Sequence, residues 1–144
     1  MAREIITLSF PSRLELLGML DKMLEGLSEQ MQLDEDTAAA VTISSIEAAT
    51  NAIQHGHKRD AARPVDIQFL LYADRIEVAV RDSGSGFDPS AVNGDITSID
   101  HLLEARGRGI FIMRACMDSV AFDFSQGGTV CHLVKRRPPP SPQG

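Results

Sequence analysis

Leu14, Leu17, Leu20, Leu24, Leu27 and Met31 recur at steps of three and four residues, the spacing that lays one apolar stripe along a helix. Pro11 and Ser12 open that helix, with Ser12 placed as its N-cap and Glu15 at the matching capping-box position. Arg3 to Phe10, just before, reads as a strand. A second helix starts near Asp34, where Asp34, Glu35 and Asp36 suit the positive end of the helix dipole. It runs to about His55, and Gly56 stops it. After Pro64 the period changes to two. Val65, Ile67, Phe69 and Leu71 alternate with polar residues, and so do Ile76, Val78 and Val80 beyond Ala73-Asp74, which predicts a hairpin with one buried face. Residues 82–106 are rich in Gly, Ser and Asp, with a short helix at 98–104, and read as a lid or a disordered segment. Gly109 to Met117 predicts an apolar helix, Ser119 to Phe124 a strand, and Thr129 to Lys135 a last strand after a Gly127-Gly128 turn.

Helices grouped against paired strands give an α+β fold, with helices packed on one face of a largely antiparallel mixed sheet. The chain of 144 residues suits one domain, 1–137, long enough to bury roughly two thirds of its unfolded surface. Residues 138–144 hold four of the seven prolines and are expected to be disordered. A net charge of −6 leaves no electrostatic footprint for nucleic acid, and Lys135-Arg136-Arg137 reads as a solvated strand end. No apolar run approaches the roughly 20 residues of a membrane span. The start, MAREIITLSF, lacks the layout of a signal peptide, so a cytoplasmic protein is expected. Cys116 and Cys131 lie in apolar sequence and read as reduced core thiols.

The second helix carries the first candidate chemistry. Glu47, Asn51 and His55 fall every four residues in a run otherwise made of small and apolar residues, within about 80° of one another. A buried Glu or Asn needs partners. The stripe is therefore either a polar seam bonded to neighbouring backbone or a site facing a cleft. In a cleft Asn51 offers a neutral hard oxygen to a cation and Glu47 a carboxylate base. His55, near the helix end, suits capping of the last carbonyls better than chemistry.

Two glycine pairs follow. In VRDSGSGFDP, Asp82 stands at a strand end, and Gly84 and Gly86 let backbone come close to a ligand. Pro89 stands where a dinucleotide fingerprint needs its third glycine. In RGRGIFIM, Gly107 and Gly109 open a helix whose free amides suit phosphate, with Arg106 and Arg108 adding positive charge. No Gly-Lys-Ser/Thr follows, so this is not a Walker A loop.

An acid-xxx-Asn helix, Asp-x-Gly-x-Gly after a strand, and Gly-x-Gly on a helix, in that order, resemble the N, G1 and G2 boxes of the GHKL superfamily of ATPases and kinases. The match is closest to the RsbW-like anti-sigma-factor serine kinases, and it spans about residues 5 to 136, including the terminal GGTVCHLVKR. The resemblance implies a Bergerat-type two-layer sandwich with ATP and Mg²⁺ as ligands. It makes Glu47 the general base toward an acceptor serine and Asn51 the Mg²⁺ ligand. It makes Asp82 the acceptor for the adenine amino group, helped by Thr129, with Gly84 and Gly86 shaping the base pocket and Gly107 and Gly109 the phosphate cradle. One position departs from the pattern. Ala105 stands where some relatives place an arginine for the γ-phosphate, while Arg106 and Arg108 flank it.

The resemblance further implies a homodimeric serine/threonine kinase that sequesters a sigma factor and phosphorylates a STAS-domain antagonist. The alternative it leaves open is an ATP-binding regulatory module with little kinase activity.

Overall fold

The computed structural model describes residues 4–87 and 105–138, the side chains of 105 and 106 excepted. Strand β1 (Glu4–Pro11) leads through a 3-10 turn (Leu14–Leu16) into helix α1 (Leu17–Gln30) and then α2 (Glu35–Asn51). A π turn (Ala52–Gly56) extends α2, and the hairpin β2 (Pro64–Leu71) and β3 (Arg75–Asp82) follows. Helix α3 (Ala105–Cys116), β4 (Ser119–Asp123) and β5 (Thr129–Arg136) complete the order.

The five strands line up as β1-β2-β3-β5-β4, and each neighbouring pair is antiparallel. The sheet among the described residues is thus antiparallel throughout, in line with the largely antiparallel sheet expected. Period-two alternation turns Val65, Ile67, Phe69 and Leu71 of β2, and Ile76, Val78 and Val80 of β3, to one buried face. Leu20, Leu24 and Leu27 of α1 and Val41, Ala48 and Ala49 of α2 pack on that face with Ile110 and Met113 of α3. The three α-helices among the described residues therefore lie on one side, and the fold is an α+β two-layer sandwich.

Three local details differ from the pattern. Ser12 does not cap α1: its side chain is fully buried and turned to His57 and Arg63, while Glu15 pairs with Arg13 at 3.1 Å. The first turn is consequently a 3-10 turn after Arg13 with no side-chain cap. Asp34, by contrast, stands at the start of α2 as expected, and it caps the helix by accepting the Thr37 amide at 3.2 Å. Gly56 is not the left-handed stop of α2; the chain turns away at Lys58 and Arg59, whose φ angles are 51° and 62°. Finally, α3 begins by Ala105, so Gly109 sits in its second turn and not at the free-amide end. The proposed helix at 98–104, most of the lid at 82–106 and all but the first residue of the tail at 138–144 lie outside the described residues.

Candidate functional site

The alternation that buries Ile76, Val78 and Val80 continues to Asp82, so the last residue of β3 also faces the helices. It is 9% exposed. The register of β3 on β5 sets Thr129 directly opposite it, itself buried on the same face. A carboxylate and a hydroxyl thus stand side by side at the end of a hydrophobic strand pair. Together with Asn51, Ala52, Gly56, Gly86 and Phe87 they line one cleft between α2 and the sheet. Phe87 closes one side of it, its ring edge-on to Phe122 at 5.0 Å and to Phe124 at 5.5 Å.

The glycines explain why the cleft can exist. A methyl on Gly56 would stand 2.5 Å from the Asp82 Cγ, and one on Gly84 would strike the Gly56 carbonyl. The turn after α2 and the loop after β3 therefore touch backbone to backbone, which places Asp82 against the end of the helix. Gly86 has φ of 80°, a left-handed value that disfavours a side chain, and a methyl there would meet the Phe124 ring at 3.0 Å. In the loop itself, Asp82 Oδ1 accepts the Gly84 amide at 2.8 Å. Its second oxygen keeps its capacity to accept from a ligand.

On the other wall, a methyl on Gly109 would lie 3.0 Å from Glu47 Oε2 and 3.2 Å from Asn51 Nδ2. Helix α3 thus approaches α2 backbone-first, and the acid and the amide meet at that one glycine. Glu47 and Asn51 are both half-buried, so a ligand can reach them. His55 does not continue the row. The π turn from Ala52 to Gly56 closes through the His57 amide on the Ala52 carbonyl, and its wider turn breaks the four-residue register. Arg108 is exposed, while the side chain of Arg106 lies outside the described residues.

No trio of His, Cys, Asp and Glu able to hold a metal occurs among the described residues. Asn51 and Glu47 supply two oxygen-bearing groups at most. That set is poor for an all-protein cage but fits Mg²⁺, which keeps most of its ligands as water and phosphate. Cys116 and Cys131 are free thiols, and burial pushes the Cys131 pKa up to about 12, so this cleft-lining sulfur is inert.

Periodicity and motif reading missed His57. It is 1% exposed, with its Nδ1 2.8 Å from Ser12 Oγ and its Nε2 accepting the Ser83 amide at 2.8 Å. Nothing in its immediate sequence marks it, because its partners, Ser12 and Ser83, directly follow β1 and β3.

A two-layer sandwich thus brings an acid-and-amide helix, a strand-end aspartate and a glycine-lined cleft together on the helical side of the sheet. Residues 10–135 match the family of the histidine kinase-like ATPase domain, and the chain belongs to that family. It is similar to the serine-protein kinase RsbW of Bacillus subtilis, at 32% identity over 133 residues covering 88% of this chain and 82% of the relative. The serine-protein kinase RsbW of Listeria monocytogenes is 26% identical over 130 residues, covering 87% of this chain and 83% of its own. A crystal structure of the RsbU and RsbW domains of a Mycobacterium tuberculosis protein superposes with a TM-score of 0.68 at 16% identity. It covers 94% of this chain, which spans about a third (34%) of the longer one, and it supports the fold. No helix among the described residues is long and apolar enough to cross a membrane.

Proposed function

We propose that the chain is an ATP-dependent protein serine/threonine kinase acting as an anti-sigma factor. It binds a sigma factor and phosphorylates a serine of a STAS-domain antagonist, as a cytoplasmic homodimer. The observation that carries this reading is the meeting of Glu47 and Asn51 at Gly109, in a fold whose similar relatives are serine-protein kinases.

Asp82 accepts a hydrogen bond from the adenine amino group, with Thr129 beside it, while Gly84 and Gly86 admit the ring. Guanine would present a carbonyl to the same carboxylate and be repelled. Asn51 would hold Mg²⁺, which neutralises phosphate charge when bound. Gly107 and the basic Arg106 and Arg108 cradle the phosphates, and Gly109 acts as the close-packing point that seats Glu47. The Glu47 carboxylate takes the proton of the acceptor serine as its oxygen attacks the γ-phosphoryl group and ADP leaves.

Ala105 favours one second reading, an ATP-binding regulatory module with little transfer, because it removes a cation from beside the phosphates. The test compares Glu47→Ala and Asn51→Ala for ATP affinity and for γ-phosphate transfer to the antagonist. Asn51→Ala should lose Mg·ATP affinity and with it transfer. Glu47→Ala should bind ATP normally while transfer falls by about 10²–10⁴-fold. Wild-type transfer in Glu47→Ala would remove the carboxylate from the base role, and no transfer in the wild type would favour the regulatory module.

A further inference from the structure

His57 stands outside the phosphate and base contacts assigned above, yet it is buried against the loop that follows Asp82. Its hydrogen bonds admit one proton arrangement. The Ser83 amide can only donate, so Nε2 is the acceptor and carries no proton. In the neutral ring Nδ1–H then donates to Ser12 Oγ, and the Ser12 hydroxyl donates to the Arg63 carbonyl at 2.5 Å. Arg63 closes the circuit, its Nη2 donating to the Ser83 carbonyl and, at 3.0 Å, to Ser83 Oγ. Both peptide groups of Ser83 are therefore fixed from behind, and the next amide, Gly84, is held by Asp82 itself.

We propose that His57 is a positioning residue for base recognition: its imidazole, braced by Ser12, fixes the Ser83 peptide and thereby the direction in which Asp82 presents its free oxygen. This inference rests on the reading of Asp82 as the adenine contact. Burial first, and then the positive charge of Arg63, hold the His57 pKa below the usual 6.5, with Asp82 and Asp60 opposing. The neutral ring that the circuit requires is thus the form present at neutral pH. Protonation at Nε2 would remove the acceptor for Ser83 and set a cation facing Arg63. The stability that the neutral ring contributes is complete above 6.5 and is lost as pH falls through the lowered folded value.

The test measures ADP and GDP affinity by calorimetry in wild type, His57→Ala, His57→Gln and Asp82→Ala. His57→Ala should weaken ADP about tenfold, the effect of leaving one buried donor unpaired, and narrow the ADP-to-GDP ratio. His57→Gln, whose amide oxygen can reach the Ser83 amide, should recover most of both. Wild-type ADP affinity should fall below pH 6.5 more steeply than that of His57→Gln. A residue that only supports the fold would weaken ADP and GDP alike, and an unchanged ratio in His57→Ala overturns the proposal. If Asp82→Ala alters the ratio while His57→Ala does not, positioning fails and the base contact stands. If neither alters it, both fail. Should His57→Ala not fold, the two pH profiles decide, and identical profiles overturn the proposal.

Discussion

One oxygen of Asp82 is already engaged, since Oδ1 holds the Gly84 amide at 2.8 Å. That occupancy sharpens what an amide would do there. In Asp82→Asn the carbonyl oxygen must stay on the Gly84 amide, because the NH₂ group cannot accept. The base would then meet a donor, which suits a guanine carbonyl and opposes an adenine amino group. The preference for ADP over GDP should therefore shrink by about 10–100-fold, the worth of one hydrogen bond to a charged group. Competition binding with the two diphosphates checks it, and an unchanged preference removes Asp82 from base reading. Asp82 was legible in the sequence because a strand-end acid before two glycines is a compact signal. Its partner Thr129 was named by family resemblance, and only the β3–β5 register shows why it stands there. His57 was illegible, since Ser12 lies 45 residues before it and Ser83 26 after. No local pattern records such a contact.

Strands and helices follow the periodicity closely because each has one face to bury. Phe69 illustrates the consequence: it is fully buried at the middle of β2, opposite Val78 in the register. Phe69→Ala should cost about 3–5 kcal/mol through lost burial and the cavity left behind. Denaturant unfolding should show this as a lower midpoint at an unchanged slope. What the pattern hides is where helices approach one another. Gly109 was expected to free an amide at a helix start, yet its amide lies within α3 and its missing side chain is the point. In Gly109→Ala the gain in helix propensity, about 1 kcal/mol, opposes the strain of a methyl pressed on Glu47 and Asn51. Melting temperature should change little while ATP affinity and transfer fall together by about tenfold or more. A variant with wild-type binding and transfer would show that the acid and the amide need no such close seat. The π turn after α2 is hidden in the same way. It meets the loop after β3 at Gly56, the last of its own residues, whose missing side chain gives room to Asp82.

The proposed ligand draws on parts of the chain that no single element joins. Asn51 ends α2, Asp82 ends β3, Thr129 begins β5 and Gly109 lies in α3. Because these groups converge only in the folded chain, a nucleotide that bridges them binds the native state and not the unfolded one. Stability should then rise with ligand as mass action requires, by about 2.7 kcal/mol at a hundred times the dissociation constant. For a domain of this size that is roughly 6–12 °C in melting temperature. ADP with Mg²⁺ should give this shift, and GDP at the same concentration much less, because the Asp82 carboxylate excludes its carbonyl. Chelating the metal should shrink the ADP shift in wild type. In Asn51→Ala the shift should be small and the same with and without Mg²⁺, since the residue proposed to hold the cation is gone. Calorimetric melting of the two proteins with ADP and with GDP, each with and without Mg²⁺, reads all of this at once. An ADP shift in Asn51→Ala as large and as metal-dependent as in wild type would place the cation elsewhere, and equal shifts with ADP and GDP would remove the base contact from the cleft.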